Sequence, residues 1–130
     1  MKATVESPAA AVVVAADEEM RILLRGLLQL HRVRVDGEAE GLTEALRALR
    51  DHRPSLVVAD THLSDGTAPE LVTGARAQLP TVRFVLIAPA SRPPQAFPQG
   101  CAPDVVLLKP FRIQQFAEAI APPPGPPPAG

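Results

Sequence analysis

A chain of 130 residues is long enough for one domain with one core and too short for two. Its 46% hydrophobic and 21% charged residues are a globular balance, and a formal net charge of −1 leaves no electrostatic footprint for nucleic acid or an anionic membrane. One cysteine, Cys101, with no Trp and no Tyr, excludes an internal disulfide, multi-cysteine metal motifs and an aromatic stacking platform, and suits the cytoplasm.

Residues 1–10 read as a loose N-terminus. The apolar run that follows, with only Lys2 ahead of it, is too short for a membrane span and unlike a signal peptide. Ala11 to Ala16 is continuously apolar, the pattern of a strand buried on both faces. Met20, Leu23, Leu24 and Leu27 then fall on one helical stripe, with Arg21 and Arg25 outside it. Val33 to Val35 is a short alternating strand suited to a sheet edge. Leu42, Ala45, Leu46 and Leu49 form a second helical stripe that Pro54 ends. Leu56 to Ala59 is a second buried strand and stops on Asp60. Thr67 and Glu70 have the spacing of a capping box, and Leu71, Ala75 and Leu79 continue that helix up to Pro80. Val82 to Ala88 and Val105 to Leu108 give two further buried strands. Between them "SRPPQAFPQG" carries three prolines, so a helix there is short or broken. Ile113, Phe116, Ala117 and Ile120 make a final amphipathic helix, and residues 122–130 read as a proline-rich tail, polyproline-like or disordered.

Strands joined by helical crossovers pack as a parallel sheet covered on both faces, which predicts a doubly wound α/β domain over 11–121. Ligands in such sheets bind beyond the carboxyl ends of the strands. Asp60 stands at one such end. Lys109 stands at another, before Pro110, which permits a cis peptide at the turn. A carboxylate facing an ammonium across a pocket suits an acid that becomes an acyl phosphate, and equally suits an ion pair closing the top of the sheet.

These stretches resemble the receiver domain of two-component response regulators. "DTHLSDG" at Asp60 to Gly66 is similar to the phosphoacceptor loop, "LLKPF" at Leu107 to Phe111 to the lysine-proline turn, and "EEMRILLRGLL" to the first helix. The resemblance covers about Ala11 to Ala121. It implies a flavodoxin-like sheet of order 2-1-3-4-5 with helices on both faces. It also makes Asp60 the acceptor of a phosphoryl group from a histidine kinase, and Lys109, with Pro110, part of the phosphate pocket.

The chain departs from that family where the chemistry is done. Aligning Arg21 and Leu24 without a gap puts Ala15 and Ala16 where the family carries two Mg²⁺-binding acids. Asp17, or the His62 carbonyl, joins Asp60 in at most a weak or absent metal site, because a phosphoryl group needs a cation held by more than one carboxylate. Ala88 replaces the phosphate-binding hydroxyl, and Val106 the ring that reports phosphorylation. The expectation is a degenerate receiver in phosphorelay signalling, not an enzyme, that works through protein contacts with weak or no phosphorylation. Its expected partner is a histidine kinase or another signalling protein, with a homodimer left open and no nucleic acid or membrane. The main alternative is a conventional receiver phosphorylated on Asp60. A phosphatase with Asp60 as nucleophile lacks the second acid at His62, and a pure scaffold is the remaining reading.

Overall fold

A computed structural model of the chain describes residues 9–94, 97 and 101–121. Strands and helices alternate as β1 (Ala10–Val14), α1 (Glu18–Leu30), β2 (Arg34–Ala39), α2 (Leu42–His52), β3 (Leu56–Asp60), α3 (Ala68–Gln78), β4 (Arg83–Pro89), β5 (Val105–Lys109) and α4 (Ile113–Ile120). All pairings are parallel, and the sheet order is β2-β1-β3-β4-β5. The apolar runs of β1, β3 and β4 occupy its centre because neither of their faces meets water.

Side chains of successive strand residues point to opposite faces, so each strand feeds two cores. Val12, Val14, Val57, Phe84 and Leu86 pack with Ala45 and Leu49 of α2 and with Leu71, Val72 and Ala75 of α3. Val13, Val58, Val85 and Ile87 pack on the other face with Leu24 and Leu28 of α1 and with Phe116 and Ala119 of α4. The predicted capping box is present: the Glu70 N–H donates to Thr67 Oγ1 (3.3 Å), and the Thr67 N–H to Glu70 Oε1 (2.9 Å).

Five expectations are corrected. β1 begins at Ala10 and ends at Val14, so Ala15 and Ala16 belong to the following loop. In α1 the core face is Leu24 and Leu28, whereas Leu23 is exposed, because leucines surround the helix and only contact with the sheet fixes which face turns inward. β2 is six residues long despite its Asp and Gly, since backbone pairing with β1 overrides weak propensity. β5 is not buried on both faces. As the last strand of the sheet it keeps only Leu107 in the core and leaves Val106 and Leu108 exposed. α4 likewise buries Phe116 and Ala119 and leaves Ile113 outside.

The fourth crossover contains no helix among its described residues, and part of the segment expected to be a short or broken helix lies outside them. The proposed tail over 122–130 and the loose start, apart from Ala9 and Ala10, also lie outside the described residues. No helix among the described residues is long and apolar enough to cross a membrane.

Candidate functional site

Strand register decides what meets at the carboxyl edge. β3 ends on Asp60, whose partner across the pairing with β4 is Ile87. Val14 pairs with Ala59, so Ala15 comes level with Asp60 one step later. On the other flank Ala88 pairs with Leu108, and Pro89 with Lys109. Ala15, Asp60, Ala88 and Lys109 are therefore neighbours at one end of four adjacent strands, and the Lys109–Pro110 peptide is cis.

Asp60 is the one buried charged residue among the described residues. A carboxylate removed from water needs partners for both oxygens, and here it has them. Lys109 Nζ donates to Oδ2 at 2.9 Å, and the His62 N–H donates to Oδ1 at 2.9 Å. The His62 contribution is the backbone amide, as in a tight turn closed by an Asp side chain.

The loop that follows is moored to its neighbours. The Ala16 N–H donates to the His62 carbonyl (3.1 Å), the Ser64 N–H to the Glu40 carbonyl (2.8 Å), and the Leu42 N–H to the Asp65 carbonyl (3.0 Å). Asp65 Oδ2 also accepts from the Thr43 hydroxyl (2.7 Å) and N–H (3.3 Å) at the start of α2. These bonds hold the Asp65 carboxyl below the usual carboxylate range, the Thr43 hydroxyl contributing most. The approach is so close that Gly41 is required: a Cβ there would collide with Asp65 Oδ1 and Ser64 Oγ and press on the Asp65 backbone nitrogen.

Arg21, which hydrophobic patterning leaves on the outside of α1, does work at this edge. Its Nη1 donates to the Ala15 carbonyl (2.8 Å) and the Ala16 carbonyl (3.3 Å), while Glu38 and Glu40 flank it at 3.9 and 4.0 Å. A long cation lying back over the preceding turn was legible only as a charge off the apolar stripe, since its partners are main-chain oxygens.

Mg²⁺ is a hard cation that takes oxygen donors, usually one or two carboxylates with phosphate and water. The residues present do not fit it. Ala15 and Ala16 have no donor side chain, and their carbonyls accept from a guanidinium. Asp17 is the N-cap of α1, accepting from the Glu19 N–H at 3.3 Å, and the His62 carbonyl already accepts from Ala16. Among the described residues no group of three or more His, Cys, Asp and Glu side chains comes together. Chemically the edge offers a paired carboxylate walled by two alanines.

No family model matches the chain, and no curated protein matches its sequence. Solved structures do. The signal receiver domain of an HD domain-containing protein from Pseudomonas fluorescens superposes with TM-score 0.76 at 21% identity, covering 88% of this chain and 92% of that one. Chemotaxis protein CheY4 of Vibrio cholerae gives 0.74 at 18% identity, covering 88% and 97%. The receiver domain of the PhyR response regulator from Erythrobacter litoralis gives 0.72 at 21% identity, with 87% of both chains covered. With the strand order, the paired strand-end Asp and Lys and these likenesses together, the chain has the fold of a response-regulator receiver domain.

Proposed function

We propose that this domain serves two-component signal transduction as a degenerate receiver, binding a histidine kinase or another signalling protein through its surface, with little or no phosphorylation of Asp60. The observation that carries the reading is the alanine pair level with Asp60. Acyl phosphate formation places a phosphoryl group against a carboxylate, and charge on the crowded oxygens must be neutralised in the transition state. Lys109 supplies one positive charge. The second, from a divalent cation, has no carboxylates at positions 15 and 16 to hold it, and Arg21 adds like charge to the same loop.

The readout positions support the same conclusion. A phosphoryl group shifts a conformational equilibrium only through contacts that differ between the two states. Ala88 offers no hydroxyl to such a group, and Val106 no ring to swing between positions. Asp60 with Lys109 then acts as a fixed ion pair that ties β3 to β5, and the protein works in a single state. It is not an enzyme on this reading, and Mg²⁺ is not its resident cofactor.

The test is phosphorylation with acetyl phosphate and Mg²⁺, read by intact mass. The native chain should stay unmodified, whereas Ala15→Asp combined with Ala16→Asp and Ala88→Thr should gain Mg²⁺ binding and a labelled Asp60. Partner binding and cellular output should survive Asp60→Asn. Magnesium-dependent labelling of the native chain, together with loss of output in a folded Asp60→Asn variant, would make this a conventional receiver.

A further inference from the structure

The outer side of α1 is unexplained by the fold. Ile22, Leu23 and Leu30 are exposed, Leu23 by 48% and Leu30 by 65%. Gly26 lies between them, in the interior of a 13-residue helix, where glycine is a poor helix former. Intramolecular packing does not call for it, since a Cβ at Gly26 would meet nothing within 4 Å. The band continues into an apolar groove of about 520 Å³, lined by Met20, Leu23 and Leu27 of α1 and by Phe111 and Ile113 at the start of α4.

We infer that this face binds the α1 helix of a second copy of the chain, the two helices crossing antiparallel at Gly26. Three features select that occupant. A residue without a side chain lets two helix backbones approach closely at the crossing, as small residues do at other tight helix crossings. The band is self-complementary: Ile22 and Leu30 lie four residues to either side of Gly26, so a two-fold axis there sets Ile22 of each copy against Leu30 of the other. Charge selects the direction. Glu18 and Glu19 begin the helix and Arg32 follows its end, and none of them has an ionic partner among the described residues. Antiparallel pairing brings each acidic end to the basic end of the partner, whereas parallel pairing would stack like charges.

Thirteen residues span about 20 Å at roughly 1.5 Å per residue, so the contact is modest and the dimer should exchange with monomer. This inference does not depend on the state of Asp60. Lys109 and Pro110 also line that groove, but the crossing is set by Gly26, Ile22 and Leu30, so different variants test the two readings and each can fail without the other.

Sedimentation velocity of the full chain from about 10 µM to about 1 mM, where a modest interface becomes populated, should show a concentration-dependent dimer. Gly26→Lys enters open space in the monomer, so its circular dichroism should match the native chain while its dissociation constant rises at least tenfold. Leu30→Glu should behave alike. Glu19→Arg and Arg32→Glu should each weaken the dimer, and the two together should restore it. In a Cys101→Ser background, Gly26→Cys should form a disulfide-linked dimer on oxidation. A native chain that stays monomeric throughout the range would overturn the inference. So would a dimer indifferent to Gly26→Lys, or one disrupted only by changes at Val106 and Leu108, which would place the interface on β5. Binding of a kinase helix to the band of a strictly monomeric protein would overturn it as well.

Discussion

Removing the lysine of the edge pair should harm the protein more than removing the acid. The side chain of Asp60 is 6% exposed and that of Lys109 29%, so the two ends of one hydrogen bond differ in their access to water. Lys109→Met leaves a nearly buried carboxylate with only the His62 N–H. Breaking a fully buried pair costs about 3–5 kcal/mol, and water reaching the vacated, partly open position should reduce that to about 2–3 kcal/mol. Asp60→Asn keeps an oxygen for the His62 N–H and leaves an ammonium that can turn to solvent, a loss of about 1 kcal/mol. The double variant has no stranded charge and should cost about 1–2 kcal/mol, against about 3–4 kcal/mol for the two single changes added together, so the cycle is non-additive by about 2 kcal/mol. Urea unfolding at neutral pH reads this directly: with a slope of about 1–2 kcal/mol per molar, the midpoint of Lys109→Met should fall by about 1 M or more. An additive cycle, or Asp60→Asn costing as much as Lys109→Met, would refute the reasoning that exposure asymmetry governs this pair.

Gly41→Ala should destabilise the fold by about 1–3 kcal/mol in the same assay, because its methyl would displace Asp65 and Ser64 from the start of α2. The lowered Asp65 carboxyl contributes stability above the ordinary carboxylate value near pH 4, and that contribution is lost as pH falls through its folded value. Asp65→Asn should therefore be less stable than the native chain at neutral pH, with the gap closing in acid unfolding curves below about pH 4. Phe116→Ala, which removes a fully buried ring stacked 5.8 Å from Phe111, should cost about 3–5 kcal/mol by thermal or urea unfolding.

The sheet was legible because β1, β3 and β4 are apolar without alternation, and such runs have few ways to escape water. Asp60 and Lys109 were legible for the complementary reason, as charges at the point where an apolar run stops. What stayed hidden depends on neighbours distant in sequence. The inward face of α1 is ambiguous among its leucines until Leu24 and Leu28 meet the sheet. The exposure of Val106 and Leu108 depends on β5 being last in strand order, which its own sequence does not encode. Arg21 acts through main-chain carbonyls, which no spacing rule of side-chain types reveals, and Asp65 through Thr43, a partner 22 residues away in sequence.

The two rims of the sheet have opposite characters, and this has a bearing on how the protein behaves when crowded. β2, at one rim, carries Arg34, Asp36 and Glu38, with Arg34 and Asp36 bonded to each other along the strand. An incoming strand would have to desolvate those charges, which guards that rim against chain-to-chain pairing. β5, at the other rim, presents Val106 and Leu108 and only one charge, Lys109, at its far end. Any sheet-to-sheet accretion at high concentration should therefore grow from the β5 side alone, making the domain one-sided in its capacity to aggregate. A single lysine placed at Val106 would be the most economical way to raise its solubility limit.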